Sequence, residues 1–537
     1  MSDIEYEKPL AVHETGIRGL KLLDLPVHGD ARGWFKENWQ RAKMCELGIP
    51  DLRFVQNNVS FNVDAGVTRG IHAEPWDKFV SIAAGSAFGA WLDLRSGSAT
   101  FGRCFTCVLD PTMAIYVPRG VGNAFQALED GTVYTYLVNS HWSAELKKTY
   151  TFVNLADPEL DIEWPIPLES ATVSDADKAH PLLADVRPMP PRRTLVTGAN
   201  GQLGRAVRAL AGRWDLTAYF DFANRDAFDI SNAAAYAAID WSQYGTVINC
   251  GAYTAVDAAE TTEGRIACWA ANATGPAMLA RVCAEHDITL VHVSSDYVFD
   301  GTRRIHLEDE HYSPLGVYGQ SKAAGDLAVA GCRRHFIVRS SWVVGEGHNF
   351  VKTMAALSDR CASEDDALQQ VRAVNDQMGR LTFTDDLAKG IFWLLGYREG
   401  DVEPSASCEY GVYNLTGSGR IASWADIAAR VFELRNGNAN AVVPVSTVDY
   451  YADAAAPASA TNHNADAAAP ASAADRCADA VAPASAADHN VDAKVPIAPR
   501  PTHSALDLSK IEATGFTPRD WEEELEEYLC VSQSPIS

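Results

Sequence analysis

The strongest constraint on this chain lies just past its first third. A β-rich run, Arg193-Thr194-Leu195-Val196, leads into Thr197-Gly198-Ala199-Asn200-Gly201-Gln202-Leu203-Gly204, and a helix-forming run from Arg205 to Leu210 follows. Strand, glycine turn and helix in that order make an anion cradle. The glycines let backbone approach a phosphate, and the helix N-terminus adds free N–H groups and a favourable dipole. The spacing is Gly198-x-x-Gly201-x-x-Gly204 rather than G-x-G-x-x-G, so the motif draws its weight from the strand before it and the helix after it. It predicts a Rossmann-type, doubly wound parallel sheet with a small substrate lobe over residues 194–537.

At 537 residues the chain is long enough for several domains of about 150 residues each. A hydrophobic content of 47% supports large cores. The net charge of −25 argues against nucleic acid as a partner, and an anionic ligand would need locally placed Arg and Lys. No apolar run approaches the roughly 18 residues of a membrane helix. The acidic start, Met1 to Glu7, lacks a signal-peptide core. A cytoplasmic protein with no membrane partner is expected. The 11 cysteines include one C-x-x-C, Cys104 and Cys107, with no second pair to complete a zinc site. They read as small apolar residues in a reducing compartment.

The first part, residues 1–187, reads as all-β. Alternating runs recur at Lys78–Ala83, Ala87–Leu94, Cys104–Leu109, Ala114–Pro118 and Val133–Val138, punctuated by Gly, Pro or Asp. That spacing suits a sandwich or jelly roll. Polar clusters stand out against it: Asp30 to Glu37, Gln56-Asn57-Asn58, and Arg69-Gly70-Ile71-His72. Each alone reads as a solvated edge. Together their cations, amides and imidazole suit an anionic, hydroxyl-rich ligand.

These residues resemble the cupin-fold nucleotide-sugar 3,5-epimerases that act on dTDP-4-dehydro-6-deoxyglucose. The resemblance covers about residues 15 to 185. It rests on D-x-R-G-x-F-x-E at 30–37, QNN at 56–58, R-G-I-H at 69–72, D-L-R at 93–95, P-x-G at 118–120 and D-P…W-P at 157–165. It implies an N-terminal cupin jelly roll with His72 as base, Tyr136 as the opposing acid, Asp177 orienting His72, and Lys78 near the enolate oxygen. It implies Arg32, Glu37, Gln56, Asn58, Arg69 and position 123 as substrate contacts. Asn123 stands where many members have His, Trp142 where Tyr is usual, and Ala176 where Lys is common. No catalytic metal is expected, because His72-Ala73-Glu74 lacks a second His and Asn123 fills the later ligand position.

Residues 188–193 are Pro- and Arg-rich and read as a stiff linker. Beyond them strands alternate with helices, with strands expected at Thr194–Val196, Leu216–Phe220, Thr246–Cys250 and Thr289–Ser294. Tyr318 and Lys322, four apart, share a helix face. A tyrosine beside an ammonium can protonate the alkoxide formed when a ketone takes up hydride. Asp221 could bond a ribose 2′-hydroxyl, favouring NADH. Arg225 could take a 2′-phosphate, favouring NADPH, and the balance leans to NADPH.

This half resembles the extended short-chain dehydrogenase/reductases, and more narrowly the dTDP-4-dehydrorhamnose reductases. The match uses T-G-A-N-G-Q-L-G at 197–204, N-C-G-A-Y-T-A-V-D-A-A-E at 249–260, S-S-D-Y-V-F-D-G at 294–301, Y-G-Q-S-K at 318–322, R-S-S-W at 339–342 and N-D-Q-M-G at 375–379. It implies Tyr318 as proton donor, Lys322 as its partner and Ser295 as the polarising hydroxyl. Gly198, Gly201, Gln202, Leu203, Gly204, Ala252 and Tyr253, with Tyr318 and Lys322, would line NADPH or NADH. Asp296 and Trp342 would touch the dTDP-sugar. Both families imply a homodimer. Residues 452–495 carry a 13-residue repeat rich in Ala, Asp, Pro and Ser, which reads as a disordered surface insertion. Two consecutive steps of dTDP-L-rhamnose synthesis on one chain are therefore expected. The alternatives are an enzyme making a related dTDP-deoxysugar, or a scaffold with one half inactive.

Overall fold

The computed structural model describes residues 5–363, 368–400, 407–454 and 496–531. Almost the whole of the repeat segment lies outside them. The chain divides into two compact units, Met1–Pro191 and Arg192–Ser537. None of the described helices is long and apolar enough to cross a membrane.

The first unit pairs two sheets. One runs Ala11–Glu14, Lys21–Asp24, Met113–Val117, Lys78–Ala84, Thr132–Val138, Gln56–Asn62 in spatial order. The other runs Thr151–Phe152, Val67–Ala73, Val121–Ala127, Ala87–Asp93, Cys104–Leu109, with Thr172–Val173 added alongside Val67. Phe125 from one sheet stacks on Tyr134 from the other, ring centroids 3.9 Å apart, inside a core that includes Val80, Trp91 and Ile115. This is the sandwich that alternation required. Of the polar clusters read as solvated edges, Gln56–Asn62 is indeed an edge strand of its sheet, whereas Val67–Ala73 lies inside its sheet. Their polar residues hid the period-2 signal. Cys104 and Cys107 are free thiols on one strand, and burial pushes them up to about 11 and about 12.

The segment read as a linker is not free. Met189 is buried, donates its N–H to the Leu94 carbonyl and accepts from Ser96, while Arg193 already begins a strand of the second unit.

In the second unit six strands lie in the order Phe220–Ala223, Arg193–Thr197, Tyr244–Asn249, Thr289–Ser295, His335–Ser340, Gly411–Asn414, and every pairing is parallel. In chain order that is 2-1-3-4-5-6. The order reverses between the first and third strands, and the glycine turn sits there, where open α/β sheets bind ligands. A strand outside the second, as in the 3-2-1-4-5-6 arrangement, is absent among the described residues. Short single-turn helices fill the stretch that would supply it.

The second strand falls later than Leu216–Phe220. The helix Gln202–Arg213 ends with Asp215 at φ 55°, and the Leu216 N–H bonds to the Ala211 carbonyl at 2.8 Å. That is a Schellman cap, with Leu216 buried as its apolar plug rather than opening a strand. A smaller lobe packs Phe350–Ala362, Trp424–Asn436 and Trp521–Val531 around Trp424 and Trp521.

Candidate active sites

In the first unit His72 sits on Val67–Ala73, opposite Asn123. The Asn123 Oδ1 accepts from Trp91 Nε1 at 2.8 Å and from the Tyr134 hydroxyl at 2.9 Å, so this row faces the opposing sheet. That oxygen is therefore spent on the fold. Tyr136 lies two residues beyond Tyr134 and shares its side of the strand. His72 and Tyr136 thus come from different sheets toward one end of the sandwich.

The carboxylate of Asp177 reaches His72 Nε2 at 3.0 Å and accepts from the Gly70 N–H at 3.3 Å. Ser174 caps the short helix carrying it, its Oγ accepting from the Asp177 N–H at 3.1 Å. Burial pushes Asp177 up, but the His72 bond and charge, with Gly70 and His180, hold it below the usual carboxylate range. With Nε2 of His72 committed to Asp177, Nδ1 is the ring nitrogen left for another partner.

Lys78 Nζ lies 2.8 Å from Glu74 Oε2, both side chains at most 10% exposed, and 5.5 Å from the Tyr136 ring centroid. Burial and Glu74 push the Tyr136 phenol up to about 12, against the pull of Arg69. It is therefore a proton-bearing group at neutral pH. Gln56 donates to Asn58 at 2.8 Å, and Asn58 is paired with Tyr136 across the sheet. Arg69 reaches the Asn62 Oδ1 at 3.4 Å. Arg32 and Glu37 are not brought into this group. Arg32 pairs with Asp30 and Glu37 with Lys43. Their hairpin is tied through Lys36 to the Ile82 and Pro111 carbonyls, at the far end of the strand that Lys78 begins.

In the second unit Gly198 has φ 65°, and a Cβ there would come within 2.5 Å of Gly251 N; a Cβ on Gly204 would meet the Gly198 carbonyl at 2.5 Å. Both glycines are required by the close packing of turn, helix and neighbouring strand. Gly201 caps the helix Gln202–Arg213 and brings no side-chain bond, so the first-turn N–H groups are left for an anion. Leu203 is buried beneath the turn, and the Gln202 amide oxygen accepts from Gly345 N at 2.8 Å. The loop after Tyr244–Asn249 carries Ala252 and Tyr253, and Tyr253 is held through its backbone by Asn272.

Ser295 ends its strand, and Tyr318 and Lys322 lie on the helix Val317–Ala330, whose first N–H is taken by Glu260 at 2.8 Å. Burial pushes the Tyr318 phenol well above its usual value, and Ser295 is the side chain that pulls against it. Ser295 also donates to Asp296 Oδ1 at 3.0 Å, and Asp296, 3% exposed, is pushed up to about 6 by burial. Lys322 Nζ donates to the Val293 carbonyl at 2.7 Å, and burial lowers the ammonium to about 8 against the pull of Asp326. Trp342 stacks on Trp424 at 3.9 Å, at the edge of the smaller lobe.

A buried polar chain that the motifs did not reveal lies behind these groups. Thr197 donates to Asn249 at 2.7 Å, and Asn249 meets His292 Nδ1 at 3.1 Å. His292 Nε2 lies 3.7 Å from Asp326, which takes Arg339 Nε at 3.3 Å. Asp326 falls four residues after Lys322, so the helix period alone placed it on the same face. His292 and Asn249 are interior strand residues with no such signal. Asp326→Asn is expected to destabilise the chain by about 3–5 kcal/mol, because it strands the buried Arg339 guanidinium. Urea unfolding measures this, and a change under about 1 kcal/mol would mean Arg339 is satisfied by its other contacts.

Asp221 does not end its strand. It is the second residue of Phe220–Ala223, and its carboxylate is held by Arg193 and by the Tyr244 hydroxyl at 2.9 Å. Arg225 follows the strand end and is exposed, with a 3.3 Å contact to Asp229.

A model of the dTDP-4-dehydrorhamnose 3,5-epimerases matches residues 14–185, and one described as the RmlD substrate binding domain matches residues 192–471. The first half is 50% identical over 198 residues to a "Protein RmlC homolog" of Streptococcus pyogenes serotype M6, spanning 36% of this chain and 99% of that protein. The second is 32% identical over 346 residues to a dTDP-4-dehydrorhamnose reductase of Aggregatibacter actinomycetemcomitans, spanning 62% of this chain and 97% of that one. A dTDP-4-keto-6-deoxy-D-glucose reductase of Streptomyces niveus is 37% identical over 258 residues, 47% of this chain and 82% of its own. The chain is thus an enzyme of two parts, an epimerase joined to a reductase. It belongs to the dTDP-4-dehydrorhamnose 3,5-epimerase family through its first half and to the RmlD reductase family through its second.

Proposed function

We infer that this chain carries out two consecutive steps of dTDP-L-rhamnose synthesis. The first is 3,5-epimerisation of dTDP-4-dehydro-6-deoxy-D-glucose to dTDP-4-dehydro-L-rhamnose. The second is NAD(P)H-dependent reduction of the C4 ketone to dTDP-L-rhamnose. The observation that carries this is the presence on one chain of His72–Asp177 facing Tyr136 and of Ser295–Tyr318–Lys322 beside a glycine turn.

In the first step the ketone acidifies the hydrogens on C3 and C5. His72 Nδ1 removes one, the electron pair moves onto the carbonyl oxygen, and the Lys78 ammonium offsets the charge. Tyr136, on the opposite sheet, returns a proton to the other face of the carbon. In the second step the turn Gly198–Gly204, with Ala252 and Tyr253, would hold a nicotinamide dinucleotide, which would supply hydride to C4. Tyr318 gives its proton to the resulting alkoxide, Ser295 holds that oxygen, and Lys322 favours the phenolate left behind.

Purified protein with dTDP-4-dehydro-6-deoxy-D-glucose and NADPH or NADH should oxidise the cofactor and yield an L-rhamnose product by NMR. Oxidation with a different sugar as product would move the chain to a related dTDP-deoxysugar. Binding without turnover would count for the scaffold. Asp221 is engaged by Arg193, which leaves Arg225 as the candidate for a 2′-phosphate and favours NADPH as the donor. Arg225→Ala should raise KM for NADPH about tenfold, as loss of one charge-assisted hydrogen bond does, and leave NADH nearly unchanged. Equal effects on both would remove this role.

The homodimer has a surface to form on. Gln56–Asn62 is an edge strand, and its Val59 and Phe61, with Val63 just after it, are 65%, 62% and 63% exposed. Edge strands with such a row are covered in stable proteins. Sedimentation should show a dimer that Phe61→Glu converts to monomer, and an unchanged dimer would place the contact elsewhere.

A further inference from the structure

Asp177 stands between two imidazoles, and the proton transfers described above use only one of them. His72 Nε2 is 3.0 Å from Asp177 Oδ1, and His180 Nε2 is 3.9 Å from the same oxygen. The three side chains offer donor atoms that all lie within 4.8 Å of one another, and no other such group of His, Cys and carboxylate ligands occurs among the described residues. We propose that His72, Asp177 and His180 form a binding site for a divalent cation of the Zn²⁺ type, which switches the epimerase off.

The donor set is two imidazole nitrogens and one carboxylate oxygen, which suits Zn²⁺. Tetrahedral bonds of about 2.0–2.1 Å put ligand atoms about 3.3 Å apart, so separations that reach at most 4.8 Å here close by about 1.5 Å or less on binding. The frame is rigid: Gly70 N–H fixes the second Asp177 oxygen, and the His180 ring stacks on Phe152 at 4.7 Å. His180 and Asp177 are 13% and 10% exposed, but His72 is 30% exposed, which gives an entry path and leaves a fourth position to water.

The consequence is a change of tautomer. The cation takes Nε2 of His72, the proton there moves through solvent to Nδ1, and the ring has no lone pair left to accept the hydrogen on C3 or C5. No net proton is lost from the ring and no redox change is needed. This inhibition rests on His72 being the base, whereas the binding does not.

The test uses the full chain and His180→Phe, which keeps a ring on Phe152 but removes a ligand. His180 takes no part in the proposed proton transfers, and the variant's own rate of deuterium exchange without added metal is the baseline against which its Zn²⁺ response is read. Micromolar Zn²⁺ should suppress that exchange in the original chain, with EDTA restoring it, and His180→Phe should need about tenfold more or greater, as loss of a metal-site interaction does. Co²⁺ should give visible bands of a nitrogen–oxygen site that are missing from His180→Phe. His180→Gln serves if the Phe variant folds poorly. Co²⁺ bands that depend on His180 without loss of exchange would keep the site and overturn His72 as base. Identical Co²⁺ spectra and identical Zn²⁺ sensitivity in both chains would overturn the site.

Discussion

Lys322→Met is expected to lower ketone reduction by about 10²–10⁴-fold while deuterium exchange into the sugar continues at its original rate. The ammonium is fully buried, held by the Val293 carbonyl, and burial has lowered it to about 8 from 10.5. It is charged at pH 7 but close to losing its proton. Reduction with the original Lys322 should therefore fall as pH rises through about 8, and the variant's residual rate should lack that limb. Stability moves the other way. In the unfolded chain the lysine stays protonated to about 10.5, so between about 8 and 10.5 the unfolded state binds more protons and the folded state gains stability as pH rises. Loss of activity above pH 8 thus cannot be assigned to Lys322-linked unfolding. A reduction rate that stays flat to pH 9.5 would show that the charge on Lys322 does not matter to the rate.

The glycine turn, the parallel sheet and the Tyr318–Lys322 helix were legible because each is a local pattern whose period or spacing the backbone imposes. The sandwich was legible where apolar residues alternate, and illegible at Gln56–Asn62 and Val67–Ala73, where polar residues break the alternation. Leu216 misled for a related reason: an apolar residue after a helix is as good a Schellman plug as a strand opener, and only the αL turn at Asp215 decides. Asp221 looked free because nothing local reveals that Arg193, on the adjacent strand, and Tyr244, on the strand beyond it, both bind its carboxylate. The second imidazole on Asp177 and the chain from Thr197 to Arg339 are tertiary contacts of the same kind. The sequence holds the residues, but the fold alone sets their pairing.

Replacing His72 by Asn is expected to cut deuterium exchange into the sugar by about 10²–10⁴-fold, the span of a lost general base. Reduction of ready-made dTDP-4-dehydro-L-rhamnose should persist, because Tyr318 and Lys322 belong to the other compact unit. That persistence reports that the chain is still folded. Tyr136→Phe separates the two halves of the proton transfer. His72 can still remove a hydrogen and return deuterium to the same face, so exchange should continue while inversion at C3 and C5 is lost. The opposed placement makes the distinction sharp: His72 comes from the sheet containing Val67–Ala73, and Tyr136 from the one containing Thr132–Val138. Burial and Glu74 push the Tyr136 phenol up to about 12, so it carries its proton throughout the neutral range and can serve only as donor there. If Tyr136→Phe loses exchange and inversion together, the tyrosine orients the sugar for His72 instead. If it loses neither, the returning proton comes from water that reaches that face of the sugar.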